Sequence, residues 1–160
     1  MYVSYPKQEG EATTLAVARG RLEDDRLVAV EEIFVADAWE TGGNLAGRLK
    51  FGPDETLYVS VGDRDRLCCI VEDDPSLRMK AQDPGSHVGK VLRIRDDGTI
   101  PLDNPFVGDG EVSGAIFTYG HRNTYGFDFH PETGDLWQAE IGPLGGDELN
   151  ILFKGHNYGW

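Results

Sequence analysis

Short apolar runs rich in β-branched residues set the pattern of this chain. Residues 1–5, 13–22 and 26–39 read MYVSY, TTLAVARGRL and RLVAVEEIFVADAW, and charged turns separate them. Partial alternation of apolar and polar positions over such lengths is typical of β-strands. No apolar stripe with helical spacing extends over ten residues here. The first part of the chain therefore predicts strands only.

The later apolar runs continue this pattern. Gly52 and Pro53 separate two of them and predict a tight hairpin. The further predicted strands are residues 47–51, 56–62, 90–94, 115–120, 126–130, 135–141 and 148–153. A polar excursion over 63–86, with one helical turn near 75–80, has a length that usually indicates a functional or mobile loop. The whole pattern predicts an all-β fold.

An internal similarity narrows the fold class. FGPDETLYVSVGD begins at Phe51, FHPETGDLWQAEIGP begins at Phe129, and the two phenylalanines lie 78 residues apart. This spacing is close to two propeller blades of roughly 40–45 residues each. It favours a β-propeller, although a chance likeness of hairpin turns in another all-β fold stays open.

The length of the chain bears on how much of a propeller it contains. Propellers usually close with about 4–8 blades of roughly 40 residues. The 160 residues would then supply an incomplete arc of about three to four blades. We therefore expect one partial propeller domain over 1–160 that belongs to a longer protein.

Composition excludes some partners. Fifteen Lys and Arg against 28 Asp and Glu give a net charge of −13, which repels phosphate backbones and anionic lipid surfaces. We expect no nucleic-acid partner. No apolar stretch approaches the roughly 20 residues of a membrane helix, and no signal peptide pattern follows Met1. The acidic residues are those of a solvated surface, with divalent cations as a further option.

The two cysteines carry little chemistry. Cys68 and Cys69 are adjacent, so they cannot join distant strands and do not match the usual ligand spacing of a zinc site. Two unpaired thiols are the main expectation, and a strained vicinal disulfide is the alternative.

Two polar loops follow the apolar runs near the end of the sequence. Arg122 and Asn123, in GHRNTYG, could grip carbonyl and carboxylate oxygens of a polar ligand. A structural ion pair and a turn are the alternatives. Gly142 and Pro143, in EIGPLGGDELN, predict a turn whose carbonyls, with Glu148, offer oxygen ligands of the kind calcium takes. The sequence has no EF-hand loop, Walker loop, HExxH or GxSxG motif.

Several ordered motifs together resemble a known family. GRLKFGPDETLYVSVGDR, AQDPGSHVGKVLRIRDDGTIPLDNPF, YGHRNTYGFDFHPETGDLWQAEIGPLGGDELN and KGHNYGW are similar to the soluble quinoprotein glucose/sorbosone dehydrogenases, also called aldose sugar dehydrogenases. The resemblance covers nearly the whole chain. It implies a six-bladed propeller that holds pyrroloquinoline quinone (PQQ) and calcium. The implied reaction oxidises an aldose sugar at its anomeric carbon to a lactone, and an external acceptor takes the electrons.

The resemblance also implies roles for single residues. Arg122 and Asn123 match the pair that contacts the quinone, and Gly142 and Pro143 match the pair whose carbonyls bind its calcium. Glu148 and the region of Tyr158 are similar to a second, structural calcium site.

The catalytic base is where this chain departs from the family. Asp63, in the GDR motif, matches the acid that orients the base, but Asn44 in GGNLAGRL stands where the family has a histidine. An amide does not accept a proton at neutral pH. Ile141 also replaces a usually polar residue.

Three interpretations stay open at this point. The chain is part of an active dehydrogenase with another base, a propeller that binds calcium, quinone or carbohydrate without turnover, or a piece that does not fold alone. By analogy with the family, the compartment is the periplasm or the exterior of the cell.

Overall fold

The computed structural model describes residues 1–65 and 75–160, and their elements are almost entirely β-strands. The elements are β1 Tyr2–Glu9, β2 Ala12–Glu23, β3 Arg26–Val35, β4 Ala46–Phe51, β5 Leu57–Val61, α1 Pro75–Met79, β6 Lys90–Ile94, β7 Ile116–Tyr119, β8 Thr124–Phe129, β9 Leu136–Glu140 and β10 Glu148–Leu152. The all-β prediction is confirmed, as are the hairpin at Gly52 and the helical turn near Pro75. Cys68 and Cys69 lie outside the described residues.

The strands form three antiparallel sheets in chain order. The first is β1-β2-β3, the second is β4-β5-β6-β7, and the third is β8-β9-β10. Within each sheet every strand pairs with its neighbour in sequence. The first strands of successive sheets are in contact, β1 with β4 and β4 with β8. Blades of a propeller meet in this way around their common axis.

Side-chain alternation on β5 explains how the sheets pack. Leu57, Val59 and Val61 join a buried cluster with Leu15 of the first sheet. Tyr58 points to the opposite face and packs in a second cluster with Leu136 and Leu152 of the third sheet. Because both faces of the middle sheet are covered, β5 and β6 are buried along their whole length.

The internal similarity marks equivalent places in neighbouring sheets. Phe51 ends β4 and Phe129 ends β8, and each is followed by a turn and the second strand of its sheet. The interpretation of the spacing as two blades is wrong, since β4 and β8 open successive sheets. The long segments that separate β5 from β6 and β6 from β7 give the middle sheet nearly twice the usual chain length of a blade.

Antiparallel order gathers several loops at one end of the sheets. The segments that precede β4, β6 and β8 lie beside those that follow β5, β7 and β9. We call this end the Asp63 end, because Asp63 follows β5 there. Among the described residues, no helix is long and apolar enough to cross a membrane.

Candidate functional site

Asp63 lies at the centre of the loops at this end. Its carboxylate is fully buried. Oδ1 accepts hydrogen bonds from Asn44 Nδ2 and from the backbone N–H of Asp65, both at 3.0 Å, and Oδ2 accepts one from Trp160 Nε1 at 2.8 Å. Burial raises the pKa of Asp63, while the bonds from Asn44 and Asp65 and the nearby charge of Arg122 oppose that rise.

The contact between Asn44 and Asp63 depends on the adjoining backbone. Asn44 has a positive φ of 36°, in a region that Asn, Asp and His tolerate better than most residues. A Cβ on Gly62 would lie 1.8 Å from the carbonyl oxygen of Asn44. Only glycine at position 62 therefore lets the two loops approach this closely.

The backbone of Asp63 also joins the loop of Arg122. The N–H of Asp63 donates to the carbonyl oxygen of Arg122 at 2.7 Å. Arg122 is buried, with 5% of the residue exposed. It donates to the carbonyl oxygens of Ile141 at 3.0 Å and Gly142 at 3.3 Å, and lies over the Trp160 ring at 5.6 Å from the centroid. A fixed cation thus lies beside a buried carboxylate.

A network of buried side chains holds the backbone of Arg122 in place. The backbone N–H of Arg122 donates to the carboxylate of Glu140, whose other oxygen lies 3.0 Å from Nδ1 of His121. Nε2 of His121 contacts the Thr118 hydroxyl at 2.8 Å, and its ring stacks on Tyr158 at 4.9 Å. His121 is fully buried, so it anchors the loop rather than meeting a ligand.

Two cavities flank these residues. One of about 320 Å³ is lined by Arg122, Glu140, Ile141, Gly142, Pro143, Gly145, Gly146, Glu148, Tyr158, Gly159 and Trp160. A second of about 490 Å³ is lined by Asn44, Leu45, Ala46, Gly47, Arg48, Asn123, Thr124 and Tyr125. Both volumes fall in the lower part of the range for small-molecule sites, roughly 300–1,000 Å³. We call them the Arg122 cavity and the Asn44 cavity.

Asn123 has an unsatisfied atom at this end. Its Oδ1 is buried and has no hydrogen-bond partner among the described residues. A buried acceptor without a partner costs free energy. A ligand that donates a hydrogen bond to Asn123 Oδ1 would recover that free energy.

The turn after β9 shapes the far wall of the Arg122 cavity. The N–H of Gly142 donates to Asp147 Oδ1 at 3.0 Å, and a Cβ on Gly142 would lie 2.1 Å from the carbonyl oxygen of Gly145. Glycine is therefore required for this tight turn. The carbonyl of Gly142 faces the Arg122 guanidinium and has a second lone pair available.

Glu148 and Tyr158 lie on the wall of the same Arg122 cavity. The Glu148 carboxylate is exposed and accepts a hydrogen bond from Asn150 Nδ2 at 3.0 Å. The Tyr158 hydroxyl donates to the Ile151 carbonyl at 2.7 Å and accepts from the Phe153 N–H at 2.8 Å. The structure thus brings them to the same cavity as Gly142 and Pro143 rather than to a separate place.

The residues present fit a planar, anionic quinone better than they fit a metal ion alone. A buried guanidinium matches the carboxylates of such a ligand, and the unsatisfied amide oxygen of Asn123 matches a hydrogen-bond donor on it. Calcium usually takes six to eight oxygens, and the described residues contain no group of three acidic, histidine or cysteine side chains that could hold a metal. A calcium ion at Gly142 and Pro143 would need further oxygens from a ligand.

Sequence reasoning missed Trp160 and Glu140. Glu140 occupies an inward position in the alternation of β9, which is a weak signal that the sequence offers. Trp160 meets Asp63 across 97 residues, and no local pattern predicts that contact. The eight residues that the sequence predicted for the site all lie at Asp63 or on the walls of the two cavities. Their roles remain predictions.

Known proteins show the same architecture. A sequence model described as glucose/sorbosone dehydrogenase matches residues 1–160. Quinoprotein glucose dehydrogenase B of Acinetobacter calcoaceticus is 42% identical over 123 residues, which cover 72% of this chain and 25% of that protein.

Two solved structures extend the likeness. The soluble aldose sugar dehydrogenase of Escherichia coli in its apo form matches with a TM-score of 0.88 at 36% identity, over 99% of this chain and 44% of that chain. The PQQ-bound form of the aldose sugar dehydrogenase of Streptomyces coelicolor matches with a TM-score of 0.72 at 28% identity, over 99% of this chain and 43% of that chain.

The chain spans less than half the length of these relatives. Its three sheets correspond to part of their β-propeller, so the predicted partial propeller is confirmed. The match of the family model over all 160 residues, together with these structures, shows that the chain belongs to the glucose/sorbosone dehydrogenase family.

Proposed function

We propose that the Asp63 end forms part of the active site of a sugar dehydrogenase that oxidises an aldose at its anomeric carbon to a lactone. PQQ is the proposed electron acceptor within the protein, and an external acceptor reoxidises it. The observation that carries the proposal is the buried Arg122 guanidinium, which lines a cavity beside the Asp63 carboxylate. The names of the relatives supply the substrate class, glucose and aldose sugars.

Arg122 and Asn123 would hold the quinone. The bound quinone would supply a two-electron acceptor for the hydride equivalent that leaves the anomeric carbon. Arg122 supplies a fixed positive charge for ketone and carboxylate oxygens, and its own backbone is held by Glu140. Asn123 Oδ1 offers a buried acceptor.

Calcium would lie at the turn after β9. The carbonyls of Gly142 and Pro143 supply two oxygens, and the carboxylates of the quinone would complete the hard-oxygen set that calcium prefers. Glu148 keeps lone pairs for a second ion, since Asn150 satisfies only part of its carboxylate. Tyr158 uses its hydroxyl within the loop, and we assign it a packing role.

The position of the base is filled by a residue that cannot act as one. Asn44 donates to Asp63, and the buried Asp63 carboxylate has no exposed surface from which to reach a sugar. The hydroxyl proton of the sugar therefore has no acceptor among these side chains. A histidine at position 44 could donate to Asp63 with one ring nitrogen and accept the proton with the other.

The test is dye-linked oxidation of aldoses after the protein has been loaded with PQQ and calcium. We expect slow, quinone-dependent turnover in the unmodified protein and a kcat at least about 100-fold higher in Asn44→His, since general base catalysis contributes that much. Gln8→His, an exposed amide on β1, is the matched control and should leave kcat unchanged.

The possible outcomes distinguish an error in the proposed function from an error in the role given to position 44. Absence of quinone-dependent oxidation in both proteins contradicts the proposed function. If the unmodified protein turns over at a full rate and Asn44→His adds nothing, the function stands and the role given to position 44 is wrong. By analogy with the family, we place the reaction outside the cytoplasm.

A further inference from the structure

Trp160 contacts the one oxygen of Asp63 that faces away from Asn44. Its indole Nε1–H donates to Oδ2 of Asp63 at 2.8 Å, while Asn44 Nδ2 donates to Oδ1. The carboxylate therefore has a separate side-chain donor on each oxygen. Rotation of the carboxylate about its χ2 bond would break both bonds at once.

The indole is itself held firmly. The Arg78 and Arg122 guanidinium groups lie over its ring, at 5.3 and 5.6 Å from the centroid. The backbone N–H of Trp160 donates to the Gly120 carbonyl at 3.0 Å. Arg78 in turn bonds to Asp65 at 3.0 Å, so both cations that contact the ring are held by other contacts as well. Such cation–π contacts favour one orientation of the indole.

We propose that Trp160 is a positioning residue of the proposed site: its indole N–H fixes Asp63 so that Oδ1 is presented to the residue at position 44. This inference rests on the proposed function. Among the described residues, Asp63 Oδ2 would otherwise be a buried acceptor without a side-chain donor, which is costly. The indole both satisfies that oxygen and sets the direction of the other one.

The pKa of Asp63 distinguishes this role from simple packing. A hydrogen bond from an uncharged donor to a carboxylate stabilises the charged form and lowers the pKa. Packing of the ring has no such effect. The charged groups that act on Asp63 are Asp65, Arg122 and Arg64, and Trp160→Phe changes none of them.

The first experiment measures the pKa of Asp63 in the unmodified protein and in Trp160→Phe. Carboxyl ¹³C NMR monitors the titration. We expect the substitution to raise this pKa by about one to two units, because a hydrogen bond to a charged group is worth that much. Trp137→Phe is the matched control, since the Trp137 indole N–H is buried and has no acceptor among the described residues. An unchanged pKa in Trp160→Phe, or an equal rise in the control, overturns the inference.

The second measurement needs no change at Trp160. In the unmodified protein, the indole ¹H–¹⁵N signal of Trp160 should move with the same midpoint as the Asp63 carboxyl signal. That movement should vanish in Asp63→Asn. A Trp160 signal that stays still through the Asp63 titration overturns the inference even if Trp160→Phe does not fold.

Activity then separates this inference from the proposed function. In the Asn44→His background, Trp160→Phe should shift the acidic limb of the kcat profile toward higher pH. If no variant oxidises sugars and yet the Asp63 pKa responds as expected, the proposed function fails while the hydrogen bond from Trp160 to Asp63 stands.

Discussion

A buried arginine lies at each end of the middle sheet, Arg93 at one and Arg122 at the other, and the two differ in how completely their surroundings are hydrogen-bonded. At one end, all three guanidinium nitrogens of Arg93 donate to acceptors: Asp54 at 2.7 and 3.0 Å, Thr56 at 3.0 Å, and Asp103 and Asn104 both at 2.9 Å. Although burial opposes it, hydrogen bonds from Arg93 and Thr56 hold the pKa of Asp54 below its ordinary value.

At the Asp63 end, Arg122 is as buried as Arg93, with 5% and 7% exposed, but its buried polar neighbours are less completely hydrogen-bonded. Asp63 has its donors, yet burial raises its pKa, and the Asn123 Oδ1 beside it has no partner among the described residues. This end also opens onto both the Arg122 and Asn44 cavities. Burial alone therefore does not distinguish structure from function in this molecule. What distinguishes them is whether the buried polar groups satisfy one another.

The largest effect on stability is expected at the satisfied end. Arg93→Met should lower the free energy of unfolding by about 3 kcal/mol, because it removes the cation that pairs with Asp54 and Asp103 and takes the donor from the buried Asn104 oxygen. The loss lies at the low end of the range for buried ion pairs, since Asp54 and Asp103 keep access to water. Urea unfolding measures it, and PQQ affinity should not change in the folded variant.

Arg95→Met is the control for that substitution. Arg95 follows Arg93 at the end of β6 but is exposed, so its loss should cost less than about 0.5 kcal/mol. Equal losses in the two variants would contradict the structural role given to the Arg93 cluster.

His87 is another buried group whose hydrogen bonds are satisfied within the protein, and it makes the stability depend on pH. Its Nδ1 accepts from the Asp37 N–H at 2.8 Å, so Nε2 carries the hydrogen and donates to the Ser113 hydroxyl at 2.6 Å. Burial lowers the pKa of His87 from 6.5 to about 4. Between these values the unfolded chain binds a proton that the native state does not, so stability is full above pH 6.5 and falls toward pH 4.

We expect that fall to reach about 2 kcal/mol between pH 6.5 and 4.5. His87→Gln should abolish this part of the slope, and His156→Gln, at an exposed position, should keep it. Urea unfolding at a series of pH values measures both. An unchanged slope in His87→Gln would show that His87 is already protonated in the native state.

Of the three buried groups Arg93, His87 and Asp63, Asp63 is expected to have the smallest effect on stability. Asp63→Asn should change the free energy of unfolding at pH 7 by no more than about 1 kcal/mol, because relief of a buried charge offsets the lost acceptor. Since the native pKa is raised, the unmodified protein loses stability as pH rises above 3.8, and the variant should not. Its sugar oxidation in the Asn44→His background should fall sharply. A large loss of stability would place Asp63 with the satisfied cluster.

The sequence predicted the strands well because alternation is a local signal. Arg122, Asn123, Gly142 and Pro143 lie at strand ends, as their short motifs predicted, while their roles stay predictions. The Arg93 cluster and the contact of Trp160 with Asp63 could not be predicted, since each joins residues far apart in the chain. The spacing of Phe51 and Phe129 misled for a related reason: long loops within one sheet imitate the length of two blades.

Binding of PQQ tests the central claim most directly. Isothermal titration with and without calcium should show saturable, calcium-dependent binding, and Arg122→Gln should raise the Kd by about 10- to 100-fold, which corresponds to the loss of a charged hydrogen bond. Arg95→Gln, an exposed arginine at the opposite end of β6, should leave the Kd unchanged. Absence of binding, or equal affinity in Arg122→Gln and the unmodified protein, would contradict the assignment of the Asp63 end as a quinone site.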